Sequence, residues 1–266
     1  MASTIDPESG AELLAPSLVP DLWTVAVAAA GRGTRLGFDK PKILFPVAGV
    51  SILERLCGLF APFCSRFVFV LSPDGAPQVE PILETLVPGR FAVALQPAPL
   101  GMGHAVGCAF PLILTEFTAI VWGDQVALKP SSIGFCMRLL SGGHFEAVCP
   151  TLLRPRPYIH FERDPVSGRV TSVLQLREGD VLPESGESDA GVFFFRTREL
   201  GRALLRLSDC DAAVGRGTKE LNFLPIFPLI DSEPGKLALA RIMTELESTG
   251  INSRVDAEYL AARIDA

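Results

Sequence analysis

The sequence predicts an α/β fold: a Rossmann-like, mixed and mainly parallel sheet with helices on both faces and an antiparallel excursion in its second half. Three observations carry this expectation. Short apolar runs alternate with helix-periodic segments through the first half of the chain, the rhythm of strand–helix–strand units. The first of these runs empties into a loop rich in glycine and cations, AAAGRGTRLGFDKPK at residues 28–42. From Tyr158 onward the rhythm changes to paired short runs around a turn, which reads as a hairpin.

The elements follow in order. Thr24–Ala29 is an apolar run that stops at Gly31, a buried strand feeding a loop. Ser51 with Glu54 three positions later makes a capping box, so a helix begins there. A strand over Arg66–Leu71, a helix over Gln78–Leu86 and a strand over Phe91–Gln96 come next. They are followed by a helix over Met102–Leu114, a strand over Thr118–Trp122 and a helix over Ser131–Leu140. His160–Glu162 and Val170–Leu176 flank a turn at Asp164–Gly168 and form the hairpin. Leu237–Leu246 carries apolar positions compatible with a helix. No internal repeat is visible.

Composition narrows the function. The chain has 266 residues, enough for one large α/β domain, with residues 1–22 as a loosely ordered N-terminal extension and 23–266 as the domain. Hydrophobic residues make up 48%, yet no apolar run approaches the roughly 18 residues of a membrane span, so no membrane role is expected. The apolar surplus suits a monomer or a small homo-oligomer. A net charge of −6 argues against a broad basic face for nucleic acid. The six cysteines include no CxxC pair and read as reduced core residues of a cytoplasmic protein. No Lys or Arg precedes Arg32, so the start lacks the basic region of a secretory signal.

The loop at 28–42 departs from the known phosphate loops. A dinucleotide fingerprint would place a third glycine at position 36, which is leucine. A P-loop would need GxxxxGK with Ser or Thr, which the chain lacks. What remains is a glycine turn at a strand's C-terminal end with Arg32, Arg35, Lys40 and Lys42 around it. Glycines let backbone N–H groups approach anionic oxygens, and the cations neutralise a small polyphosphate.

At these residues the chain resembles the sugar-1-phosphate nucleotidyltransferases, nearest to their N-acetylglucosamine-1-phosphate uridylyltransferase branch. The resemblance rests on AAAGRGTRL with Pro41 and Lys42, on Gln96 followed by LGMGHAV at 100–106, on Trp122-Gly123-Asp124, and on GINSRVDAEYLA at 250–261. It implies a nucleotide-diphospho-sugar transferase fold whose nucleotide-binding half is about 23–130 and whose sugar-phosphate half is about 131–266. It also implies substrates, an NTP (UTP foremost) and a sugar 1-phosphate, and a Mg²⁺ cofactor. Ala29, Ala30, Gly31, Gly33 and Thr34 would cradle the triphosphate with Arg35, and Lys42 would sit near the α-phosphate. Gln96, Gly101 and Met102 would read the base, while Asp124 and Asn252 would be the metal ligands. Trp122, Gln175, Asp189 and Glu220, the last beside Asn222, would face the sugar. The resemblance further places a strand at Leu237–Ile242, and it implies that the family's C-terminal left-handed β-helix is not part of this chain.

Other readings of the same residues stay open. Asp124 could instead cap the next turn, and Asp256 stands near enough to replace Asn252 as a ligand. His104 reads as a packing or capping residue, and His144 and His160 lack metal-ligand spacing. Departures from the family pattern cluster on the sugar side: Met102 replaces a threonine, Trp122 a tyrosine, Ile159 a glycine, Gln175 a glutamate and Asp189 an asparagine. They leave the acceptor open, with a cytidylyl- or guanylyltransferase for another phosphorylated sugar, cyclitol or alcohol as the runner-up. A nucleotide-sugar sensor is the reading outside catalysis.

Overall fold

In the computed structural model, the residues described are 3–5, 17–233 and 235–264. Their strands are β1 (Ser3–Ile5), β2 (Trp23–Ala28), β3 (Pro46–Val47), β4 (Val50–Ser51), β5 (Arg66–Leu71), β6 (Phe91–Leu95), β7 (Phe117–Trp122), β8 (Ala147–Pro155), β9 (Ile159–Arg163), β10 (Val170–Gln175), β11 (Ser185–Asp189), β12 (Val192–Arg196) and β13 (Leu237–Arg241). The helices are α1 (Ile52–Phe60), α2 (Ala76–Leu86), α3 (Met102–Ala109), α4 (Pro130–Ser141), α5 (Thr197–Ser208), α6 (Ile226–Asp231) and α7 (Arg254–Ala261).

The main sheet runs β1-β13-β8-β12-β7-β2-β5-β6, with β11 paired to β8 beside it. Pairs β7·β2, β2·β5, β5·β6, β8·β13 and β1·β13 are parallel, whereas β12 runs antiparallel to both β7 and β8. This is the mixed, mainly parallel sheet expected. Hairpin β9–β10 stands off it as a separate two-stranded sheet. Within the N-terminal extension, Ser3–Ile5 lies alongside β13 at the sheet edge.

Side chains alternate across the sheet because successive strand residues point to opposite faces. Trp23, Val25 and Val27 of β2, with Ala119 and Val121 of β7, enter one core with α1, α2, α4 and α7. Ala26 and Ile120 enter the other, with α3, α5, α6 and the hairpin's Phe161. β2 and β7 are thus apolar on both faces, the mark of a covered parallel sheet.

Local signals hold where expected. Ser51 Oγ accepts the Glu54 N–H at 3.2 Å while the Glu54 carboxylate accepts the Ser51 N–H at 2.8 Å, closing the capping box ahead of α1. The segment at 237 is the strand β13, because pairing with β8 outweighs its helical periodicity. The helix expected over Met102–Leu114 is shorter. α3 ends at Ala109, and a 3₁₀ turn over Phe110–Leu112 follows, since Pro111 has no N–H for the helical ladder.

Glu247 holds the turn before α4 to the segment after β13. It is 1% exposed, and its carboxylate accepts from Ser132 Oγ at 2.6 Å, Lys129 N at 3.3 Å, Thr244 N at 3.2 Å and Thr244 Oγ1 at 2.9 Å. Removing it strands four donors in the interior. Glu247→Ala is therefore expected to lower unfolding stability by about 3 kcal/mol in denaturant titration. A loss below ~0.5 kcal/mol would contradict this role.

Candidate active site

The register places the site. Ala28 of β2 pairs with Val70 on one side and Trp122 on the other, and Leu71 pairs with Leu95. The loops leaving β2, β5, β6 and β7 therefore emerge side by side at the carboxyl edge of the parallel strands, where α/β sheets bind ligands.

The loop after β2 is built on buried anchors. Ala29, Gly33, Leu36 and Pro41 are buried, whereas Gly31, Arg32, Thr34 and Arg35 are exposed and Ala30 is half-buried. Lys42 N–H donates to Gly31 O at 3.1 Å, Arg32 and Pro41 bridge, and Leu36 N–H reaches Gly33 O at 2.9 Å, so the loop closes on itself. Arg32 pairs with Asp74 at 3.2 Å on the open surface, a contact of little energetic weight. Arg35 makes no ion pair among the described residues and stays available to an anion.

At the floor of this loop Lys42 Nζ donates to Asp124 Oδ2 at 2.8 Å and to Asn252 Oδ1 at 3.1 Å. These residues lie 82 and 210 positions from Lys42, yet they converge on one ammonium. Backbone contacts bring them in. Ile251 N–H donates to Asp124 O at 3.0 Å, Gln125 and Gly250 bridge, and a Cβ on Gly250 would stand 3.1 Å from the Asp124 carboxylate. Glycine at 250 spares the Asp124 carboxylate the small displacement that a Cβ would force on it. The Asp256 carboxylate accepts Asn252 N–H at 2.9 Å and Ser253 N–H at 2.7 Å, capping α7. Asp256 is therefore a cap whose carboxylate is engaged by the backbone of Asn252 and Ser253. Arg254, which the sequence reading did not single out, ties α7 to the glycine loop through Nε to Leu36 O at 2.8 Å.

The second cluster follows β6. Gln96 is buried, its Nε2 donates to Gly101 O at 3.0 Å, and it lies 3.1 Å from His104 Nδ1. His104 thus braces the glutamine, in keeping with a packing role. Met102 opens α3 beside them and is half-buried. The segment is strapped to residues 220–222, with Leu221 N–H on Leu100 O and Gly103 N–H on Leu221 O, both at 2.9 Å.

The four residues expected to face the sugar are less unified. Glu220 pairs with Arg177 at 2.6 Å, and Asn222 beside it is buried. Trp122 packs edge-on against Phe193 and Phe223, with centroids 5.0 and 5.5 Å away, so its ring belongs to an aromatic cluster. Gln175 is buried at the end of β10, and its side-chain amide makes no hydrogen bond among the described residues. Asp189 is 4% exposed; its Oδ2 accepts Gly191 N–H at 2.9 Å, while Oδ1 has no partner among the described residues. Neighbouring Gln125 Oε1 is likewise buried without a partner among the described residues.

Burial pushes the Asp189 carboxyl up to about 6, against the lowering hydrogen bond from Gly191 and with a further push from the negative Asp124. A raised carboxyl binds more protons folded than unfolded between about pH 4 and 6, so its contribution to stability falls as pH rises through that window. Relative to Asp189→Asn, the native protein should lose about 2 kcal/mol of stability between pH 4 and pH 7. Chemical denaturation at both pH values measures it, and parallel pH profiles would contradict it.

A cation-bearing glycine loop, a braced glutamine and an Asp–Lys–Asn cluster at one strand edge define an α/β protein of the nucleotide-transferase type. The chain belongs to the MobA-like NTP transferase domain family, which matches residues 25–215. It is 30% identical over 257 residues to a bifunctional protein GlmU of Mycobacterium bovis, covering 92% of this chain and 50% of that protein. A GlmU of Pseudomonas savastanoi is 28% identical over 189 residues, covering 71% of this chain and 41% of its own length. The chain thus spans about half the length of the curated relatives it matches. A solved UDP-glucose pyrophosphorylase complexed with UDP-glucose superposes with a TM-score of 0.70 at 13% identity, over 91% of this chain and 97% of that one, and shares the fold.

Proposed function

We propose that this chain is a Mg²⁺-dependent nucleotidyltransferase that joins an NTP, UTP by preference, to a sugar 1-phosphate and releases pyrophosphate. The observation that carries the reading is the convergence of Lys42, Asp124 and Asn252 beneath the glycine loop. Family membership and the names of the relatives support it.

The acceptor's phosphate oxygen forms a bond to the α-phosphorus as the bond from that phosphorus to the β-bridging oxygen breaks, and the electron pair leaves with pyrophosphate. The attacking oxygen is already anionic, so no side chain need remove a proton. Catalysis then rests on positioning, which can supply roughly 7 to 11 kcal/mol, and on fixed positive charge. N–H groups of residues 31–34 and the exposed Arg35 would hold the outgoing phosphates, and Lys42 would neutralise charge at the α-phosphate. Asp124 Oδ2 and Asn252 Oδ1 offer hard oxygen donors aimed at one point, which suits a Mg²⁺ that shares phosphate oxygens and water. When bound, the ion would supply Lewis-acid polarisation of the phosphates. Residues 23–130 would bind the nucleotide, with Gln96 and the Gly101 backbone at the base, and 131–266 the acceptor. We read the setting as cytoplasmic.

A second reading keeps the reaction and changes the substrates, to CTP or GTP with another phosphorylated sugar, cyclitol or alcohol. It is favoured by Asp189, whose unpartnered Oδ1 calls for a hydroxyl donor where a neutral amide stands in the resembled family. Pyrophosphate release across the four NTPs and a panel of sugar and polyol phosphates separates the two. A maximum with UTP and a sugar 1-phosphate supports the first, and a maximum elsewhere selects the second. Silence with every pair would overturn both.

A further inference from the structure

The Lys42 contact carries a consequence for how the site loads. Nζ lies 2.8 Å from Asp124 Oδ2 and 3.1 Å from Asn252 Oδ1, and no other side chain among the described residues hydrogen-bonds either group. The backbone behind each of the two oxygens is fixed: the Asp124 carbonyl accepts Ile251 N–H at 3.0 Å, and Asn252 N–H donates to the Asp256 carboxylate at 2.9 Å. The backbone of Lys42 is fixed as well, by its N–H on Gly31 O and its carbonyl on Phe45 N–H. Its four-carbon stem is left as the movable part. We propose that in the ligand-free protein the Lys42 ammonium stands in for the divalent cation, holding Asp124 and Asn252 converged, and must vacate that point before a cation occupies it.

This rests on the reading of Asp124 and Asn252 as cation ligands. An ammonium and a divalent cation cannot share two oxygens at contact distance, because like charges repel steeply where burial limits screening; the pair's side chains are only 17% and 20% exposed. Lysine suits such a role: it is a compact point charge on a flexible stem, without the rigid fork of arginine. The phosphates of an incoming nucleotide give the displaced ammonium a new anion. Cation entry, nucleotide entry and the transfer of Lys42 from carboxylate to phosphate are then thermodynamically linked, and each favours the others. A free cation alone meets the lysine as a competitor.

The test is Mn²⁺ titration of the intact protein, with free ion counted by electron paramagnetic resonance, without nucleotide. Removing the competitor should tighten Mn²⁺ binding about tenfold in Lys42→Met, and Asp124→Asn in the same background should abolish the gain. UTP should enhance Mn²⁺ binding in the native protein and do so less in Lys42→Met. Unchanged or weaker Mn²⁺ binding in a folded Lys42→Met, checked by circular dichroism, would overturn the inference while leaving the metal reading intact. Mn²⁺ binding in the native protein with UTP that ignores Asp124→Asn would overturn the metal reading itself. A second measurement needs no variant: amine-directed labelling of native Lys42, followed by mass spectrometry, should accelerate at saturating Mn²⁺. An unchanged labelling rate would also overturn the inference.

Discussion

Asp124→Ala is expected to lower nucleotidyl transfer about a thousandfold or more while the protein stays folded. The carboxylate is the one full negative charge in the Lys42–Asn252 cluster, and it sits where β7 delivers it to the edge of the sheet. Losing it removes both an oxygen donor and the partner of Lys42, and preorganised charge of this kind accounts for factors of about 10² to 10³ per group. Stability should change little, because Gly123 and Gln125 keep the turn through backbone bonds to Ala28 O and Trp122 O that the side chain does not make. The measurement is turnover at saturating substrates beside a thermal melt. Activity within tenfold of native, in a protein melting normally, would contradict the assignment of the site.

Gly101→Ala is expected to cost about 2 to 4 kcal/mol of stability and to weaken nucleotide binding more than tenfold. Two independent effects act there. Gly101 has φ of +100°, a conformation that side chains rarely adopt, and an added Cβ would press on Leu221 O, Leu221 N and Glu220 Cβ. Those atoms form the strap that receives Gly103 N–H and returns Leu221 N–H to Leu100 O. Moving the strap would shift the carbonyl of Gly101 that accepts from Gln96, so the amide proposed to read the base loses its orientation. Calorimetry with UTP and denaturant unfolding of the same variant measure both effects. Native-like values in both would show that the close approach is not needed.

Local chemistry was the part of this molecule that its sequence made legible. The Ser51–Glu54 box starts α1 as the spacing predicted, the strand Arg66–Leu71 has the expected ends, and the hairpin lies where the rhythm changed at Tyr158. These features are written within a few residues of themselves. Lys42 stands out in the sequence only as one of four cations in the glycine loop, and Asp124 and Asn252 only through the resemblance; nothing in their spacing reports that two segments 82 and 210 residues away close on one ammonium.

What stayed hidden was contact between distant segments. Arg254 reaches Leu36 across 218 positions, and the buried oxygens of Gln125 and Asp189 become notable only once burial is known. Asp256 shows the limit from the other side. As a sequence it was a rival ligand to Asn252, and its Ser253-x-x-Asp256 spacing was the available signal that it would cap α7 instead. Glu247 was half legible: Thr244-x-x-Glu247 spacing signals its local bonds, whereas its partners Ser132 and Lys129 lie in a separate turn 115 and 118 positions earlier.

The most direct test of nucleotidyl transfer at this site follows one labelled atom. UTP carrying ³²P at the α-phosphate is incubated with the protein, Mg²⁺ and a mixture of sugar 1-phosphates, and the products are separated. Label is expected in a nucleoside diphosphate sugar, with none in pyrophosphate and no transfer in Asp124→Ala. Label appearing only as free UMP, or equal transfer by Asp124→Ala, would contradict it.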